Sequence, residues 1–302
     1  MKQLLLCLLC LPLLTGCTDI RTRLLPDILA VDQGTPVRFA AHTSQETGIT
    51  AAQAETALLM PDALRNASGA EISTGHLTLL AVSGNPVSVL EAYFQAQMLA
   101  PSCIVLSVAA DACGQLREGR LPSPAQLQSA AETGQLPHRA ADTVLADLWG
   151  GSGITAVCTA KQSGLTLSLW SQEGCLGELS GDACRGLALL GRRYSDFSFA
   201  SDGITYRLKP ASVRIEAEQR STLHIVLTVT AEAEPPLTAP AAGRLTEMLT
   251  AAVTETAGIQ GADLLFLREY AIRSGITAAR NCSQAEWRTM LQAAEYTAAF
   301  CP

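Results

Sequence analysis

Residues 204–230 read ITYRLKPASVRIEAEQRSTLHIVLTVT, and their hydrophobic period is two. Ile204, Tyr206 and Leu208 alternate with Thr205 and Arg207. Val213, Ile215 and Ala217 alternate with Arg214 and Glu216, and Leu223, Ile225, Leu227 and Val229 alternate with His224, Thr228 and Thr230. Successive side chains of a strand point to opposite faces. Three such runs with turn-length gaps therefore predict an antiparallel meander that buries one face and wets the other. Pro235-Pro236 closes the pattern. Beyond it, Leu245, Met248, Leu249, Ala252 and Val253 fall on one stripe of a helix. Trp287, Met290, Leu291 and Ala294 mark a last helix. Strands followed by helices point to an α+β chain.

Upstream, strand and helix signals alternate. Ile28 to Val31 and Val37 to Ala41 read as short strands around Gly34, and Thr50 to Met60 reads as a helix stopped by Pro61. Leu77–Val82 and Cys103–Val108 are apolar runs of strand length. Asn85-Pro86 and Ser123-Pro124 each place a capping side chain before a proline, whose missing N–H costs nothing in the first helical turn. Pro137 opens a helix to Trp149, and Gly150-Gly151-Ser152-Gly153 ends it. Ile154–Thr159 and Leu165–Trp170 are strand-like, and Cys175–Leu179 is a short strand feeding a helix over Asp182–Leu190. The change of pattern places a boundary near residue 160, with an N-terminal α/β domain over 17-160 and a C-terminal α+β domain over 161-302. Mixed small sheets with flanking helices are expected overall.

The chain opens on a leader. Lys2 gives one positive charge, Leu4 through Leu14 is apolar apart from Pro12, and Leu14-Thr15-Gly16-Cys17 has the form of a lipobox. The segment is too short to span a bilayer and has the layout of an export signal. Residues 1–16 are expected to be removed and Cys17 to carry lipid; the alternative is a plain secretory signal. Loss of residues 1–16 removes one lysine, which moves the formal charge from -7 to -8. Only Lys161 and Lys209 then remain as lysines, so no basic footprint for nucleic acid is present. No polybasic patch would hold a membrane, so lipid must supply the attachment.

Of ten cysteines, Cys7 and Cys10 leave with the leader and Cys17 is consumed. Cys103, Cys113, Cys158, Cys175, Cys184, Cys282 and Cys301 remain. Cys175/Cys184 and Cys282/Cys301 are the local pairs to test as disulfides, which an extracytoplasmic site permits. Buried free thiols are the alternative for most of the seven. Catalytic and metal motifs are missing. The four histidines, His42, His76, His138 and His224, have no paired metal spacing. Gly150-Gly151-Ser152-Gly153-Ile154 is not a nucleophile elbow, because Ile154 stands where its last glycine belongs. No catalytic, cofactor or metal residue is assigned.

Four segments resemble the Ger(x)C lipoprotein family, the C subunits of bacterial spore germinant receptors. Thr15-Gly16-Cys17-Thr18-Asp19-Ile20-Arg21, followed by Ile28 to Gly34, is similar to the family's opening. Gly75-His76 with Leu77–Val82 is similar to the strand before its first long helix. Gly174-Cys175-Leu176-Gly177-Glu178-Leu179-Ser180, continuing through Ala183, Gly186, Leu187 and Leu190, resembles its most distinctive segment. The stretch Gly258 to Leu265, holding Gln260 and Asp263, is similar to its Gln…Asp region. Thr18 stands where the family usually has tryptophan. The family continues past the Trp287 helix into a final alternating strand, and this chain's stop at Phe300-Cys301-Pro302 implies a shortened C-terminal edge.

The resemblance implies a non-catalytic subunit of a nutrient germinant receptor. It would be lipid-anchored at Cys17 on the extracytoplasmic face of the spore inner membrane, beside A-type and B-type membrane subunits. It implies a mixed α/β fold in several small domains and carries over no residue beyond Cys17. The alternative from another class is a lipid-anchored extracytoplasmic solute-binding protein for a transporter. A tethered hydrolase is a third.

Overall fold

A computed structural model describes residues 23–44 and 46–301. The lipobox and Cys17 lie outside the described residues. The chain is α+β, with four sheets among the described residues and helices packed on and between them.

In the first half the strands are β1 (Arg23–Leu24), β2 (Ile28–Asp32), β3 (Val37–Thr43), β4 (Glu46–Ala54), β5 (Glu71–Ile72), β6 (Leu79–Ser83) and β7 (Ile104–Val108). The helices between and after them are α1 (Met60–Ser68), α2 (Pro86–Gln95), α3 (Ala112–Arg117), α4 (Pro124–Glu132) and α5 (Ala141–Gly150). Then come β8 (Thr155–Lys161), β9 (Gly164–Ser171) and β10 (Gly174–Glu178). Eight of these strands form one sheet in the order β10-β9-β8-β7-β6-β2-β3-β4, while β1 and β5 pair separately. The central strands β2, β6, β7 and β8 are parallel neighbours, and the strands on either flank are antiparallel.

Both faces of this sheet are covered. Leu29, Val31, Leu80, Val82, Val105 and Val157 pack against α1, α2 and α5. Ala30, Ala81, Leu79, Leu106 and Ala156 face the other way, into a core that continues through the rest of the molecule. Strands buried on two sides need apolar residues at every position, which is why these runs lack alternation. The small side chains of Ala30 and Ala40 leave room for α3, whose Cys113 Sγ donates to the carbonyls of Ala30 and Arg38 at 3.5 and 3.4 Å.

After β10 come α6 (Gly181–Gly191), β11 (Phe197–Ser201), β12 (Ile204–Leu208), β13 (Ser212–Gln219), β14 (Leu223–Thr230) and β15 (Ala233–Glu234). Helix α7 (Ala239–Val253) runs on into a π-helical turn, Thr254–Gln260. The last elements are α8 (Leu267–Arg273), α9 (Thr277–Asn281), α10 (Gln284–Gln292) and β16 (Glu295–Cys301). Leu223, Ile225, Leu227 and Val229 are buried, so the alternation of β14 marks its core face correctly. The antiparallel meander is present and is shared between two sheets, β11-β12-β15 and β13-β14-β16. The chain changes sheet at Lys209-Pro210, where proline has no N–H to continue a ladder.

Helix α6 lies directly on α7. A Cβ on Gly186 would stand 2.1 Å from the Met248 carbonyl oxygen, so only glycine allows this approach. The helix starts follow the capping logic of the sequence. The Asn85 side chain accepts from Val87 N–H at 3.0 Å, and Ser123 with Gln126 and Ser283 with Glu286 form capping boxes.

Several sequence expectations need correction. Thr50 to Ala54 belongs to β4, paired with β3 from Val37↔Ala54 to Ala41↔Thr50, because strand pairing overrides the helix propensity of its alanines. Pro61 sits in the first turn of α1, so it opens that helix and does not stop one. The helix expected from Pro137 begins at Ala141, since Ala140 is bridged to Ile104. Residue 160 lies inside β8, and the eight-stranded sheet runs on to Glu178, so the change of sheet comes after β10. The final strand implied to be missing is present as β16, parallel to β14 from His224↔Glu295 to Thr230↔Cys301. All seven remaining cysteines are free thiols, so neither Cys175/Cys184 nor Cys282/Cys301 is a disulfide.

Candidate functional site

The described residues converge on a buried polar junction between the eight-stranded sheet and the C-terminal helices. It starts at the glycine-rich stop after α5. Gly150 to Gly153 ends that helix as expected, and it also turns Ser152 fully inward. The Ser152 hydroxyl accepts from the Asp263 backbone N–H at 2.9 Å, and its carbonyl accepts from Arg288 Nε. Gln284 Nε2 donates to the Leu148 carbonyl at 3.2 Å. Three contacts thus tie α5 and its loop to α10 and the segment before α8.

Asp263 organises the helical side. Its carboxylate accepts from Leu267 N–H at 2.6 Å, Arg268 N–H at 3.0 Å and the Trp287 indole N–H at 2.9 Å. It therefore caps the first turn of α8 and also fixes the indole of the largest fully buried side chain. Gly261, just before it, is left-handed at φ 65°, and a Cβ there would lie 2.9 Å from the Arg288 carbonyl oxygen. Burial raises the Asp263 carboxyl above the usual range, while the N–H donors from Arg268, Leu267 and Trp287 oppose the shift.

On the sheet side, Arg139 and Asp147 form a buried ion pair, 6% and 0% exposed at their side chains. Arg139 Nε donates to the Ala156 carbonyl at 2.8 Å and its Nη2 to Thr155 Oγ1 at 2.9 Å. Thr155 Oγ1 donates to Asp147 Oδ2 at 3.1 Å, whereas Asp147 Oδ1 is buried without a partner. Burial pushes the Asp147 carboxyl up to about 6 despite Arg139, and the nearby Asp263 charge adds to the rise. Two buried carboxylates thus sit near one loop. No donor set for a metal accompanies them: among the described residues no group of three or more His, Cys, Asp or Glu could hold one.

A cavity of about 460 Å³ opens beside the junction. Leu187 and Ala188 of α6, Val213 and Ile215 of β13 and Leu264 contribute to its walls, and His138, Arg192, Arg193 and Arg273 also line it.

The sequence-derived candidates are scattered. Cys17 lies outside the described residues. His224 Nε2 is 3.2 Å from Thr297 Oγ1 on the neighbouring strand. His42 Nδ1 pairs with Asp27 at 2.8 Å, and His76 ends a short 3₁₀ turn. Burial pushes the thiols of Cys103, Cys113 and Cys158 up to about 12, which keeps them protonated and unreactive. Sequence reasoning passed over Arg139 and Asp147. The available signal was a carboxylate set among Val144, Leu145 and Leu148 in a helix whose apolar side faces a sheet. Among the described residues no helix is long and apolar enough to cross a membrane.

No protein-family model matches this chain, and no curated protein matches it in sequence. Its structure is similar to a solved one described as "Crystal Structure of the GerBC protein", with a TM-score of 0.53 and 12% sequence identity. The match covers 90% of this chain and 95% of that one. At that identity the likeness is one of architecture, and the chain has the fold seen in GerBC.

Proposed function

We propose that this chain is a non-catalytic, lipid-anchored subunit of a nutrient germinant receptor, acting with A-type and B-type membrane subunits on the extracytoplasmic face of the spore inner membrane. The observation that carries the reading is the fold shared with GerBC across 90% of the chain. The lipobox at Leu14 to Cys17 and the family-like segments around Gly174 and Asp263 support it independently of the fold.

The mechanism is tethering. Two acyl chains on Cys17, at about 0.8 kcal/mol per buried CH₂, hold a protein stably where one chain binds only marginally. Cys17 stands six positions before Arg23, the first residue of β1. Six residues span at most about 20 Å when fully extended. The folded body is thereby confined to a layer next to the membrane, which raises its effective concentration toward integral partners without a tight interface. The polar junction keeps the sheet and the helical part in one arrangement, so a contact on either is felt as a displacement of the whole body.

The test is Cys17→Ala. The variant is expected to move from the membrane fraction to the soluble fraction and to weaken the germination response of spores that carry it. If the variant still sediments with membranes and spores respond normally, the tether is not the mechanism.

A further inference from the structure

We propose that the cavity between α6, β13 and the start of α8 binds a small organic carboxylate with an apolar body. The lining is cationic. Four cationic side chains and His138 line the cavity, against a single acid, Glu269. Two of the cations are already neutralised. Arg139 is paired with Asp147, and Arg273 Nη2 lies 3.1 Å from Glu269 Oε2. The side chains of Arg192 and Arg193 have no ion pair or hydrogen bond among the described residues. Two uncompensated guanidinium groups therefore stand at a concave site, where low-dielectric walls concentrate their field on whatever enters.

The second observation is an unpartnered imidazole. His138 Nδ1 is buried without a hydrogen-bond partner. Burial lowers the pKa of this histidine, Arg193 lowers it further, and Asp142 opposes the shift. The neutral ring is thereby favoured beside Arg193 on the cavity wall, where it adds no competing charge to the guanidinium. The third observation is backbone strain. Arg192 closes α6 in the left-handed region at φ 56°, a conformation that strains an arginine more than a glycine.

The walls decide the rest of the ligand. Leu187, Ala188, Val213, Ile215 and Leu264 offer apolar surface that a bare inorganic ion would leave unused. Guanidinium groups match a planar carboxylate through paired N–H donors. A cavity of about 460 Å³ is within the range of small-molecule sites. Because it lies against both the sheet and the helical part, its occupancy favours the arrangement described above.

This site is independent of the lipid tether, and its test needs no membrane. The full chain, purified in a non-ionic detergent, is titrated with 2-naphthoate and with 2-naphthamide, its neutral analogue of the same shape. Naphthoate is expected to bind saturably at one site, and the amide roughly tenfold more weakly. Arg193→Gln, a change at an exposed side chain, should weaken naphthoate by a similar factor and leave the amide unchanged. Arg214→Gln, whose arginine pairs with Glu216 on β13 away from the cavity, should change neither. Inorganic phosphate should not displace naphthoate at equal concentration. Equal binding of the amide, displacement by phosphate, indifference to Arg193→Gln, or no saturable binding would each overturn the proposal. None of these outcomes bears on the Cys17→Ala result.

Discussion

Strands β2 and β6 are buried on both faces, whereas β13 and β14 have one face on the core and one in water. The first pair reads as unbroken apolar runs, Ile28 to Val31 and Leu79 to Val82. The second pair alternates, apart from Val226 in β14. The difference teaches what a hydrophobic period encodes: it records whether one side of an element stays wet, and it says nothing about which strand lies alongside. A third kind of region, the polar junction, is buried like the first and built from charges, and its stability depends on pairing more than on area.

Three measurements on the full chain test how these regions differ, each read as an unfolding free energy in urea. The largest effect is expected at the junction. Arg139→Met leaves the Asp147 carboxylate buried and unpaired and should cost about 3–5 kcal/mol, while the Arg139→Met, Asp147→Leu double variant should recover most of that loss. If the two proteins are equally unstable, pairing with Arg139 is not what makes the buried Asp147 carboxylate tolerable on the sheet side of the junction. Next comes the contrast between the strands. Leu80→Ala, in the two-sided sheet, should cost about 2–5 kcal/mol, whereas Thr228→Ala on the outer face of β14 should stay within about 0.5 kcal/mol. Similar losses at both positions would erase the distinction between one-sided and two-sided burial.

The smallest effect is a pH dependence. The Asp147 carboxyl is raised to about 6 by burial, so its contribution to stability is fully present below its unfolded value and is lost as pH rises through about 6. Between pH 5 and pH 7 this loss should be on the order of 1 kcal/mol in the native chain. Asp147→Asn should lack that component, although it is less stable overall. Parallel curves for the two proteins would show that burial does not raise this carboxyl.

Much of the fold is legible in local sequence. Asn85 and Ser123 announce helix starts because a short polar side chain before the first turn satisfies backbone N–H groups that nothing else can reach. Leu223 to Val229 announces its own core face. The failures are equally physical. Thr50 to Ala54 carries alanines that favour a helix in isolation, and only the partner strand β3 makes it a strand. The junction was half visible. Ser152 stood out as part of a glycine-rich stop and Asp263 as part of a family-like segment, but their bond spans 111 residues and has no local trace. Arg139 and Asp147 lie close in sequence, yet neither shows burial on its own, because a charged side chain reads as solvated until a sheet covers it.

The α+β class, most strand and helix positions and two of the helix caps could be read from the linear chain, since each rests on contacts within a few residues. Tertiary structure decided the eight-stranded sheet, the sharing of the meander between two sheets, the return of the chain in β16, and the pairing of buried charges with a cationic cavity beside them. Those features depend on which surfaces exclude water from one another, and desolvation is a property of neighbours that come from distant parts of the chain.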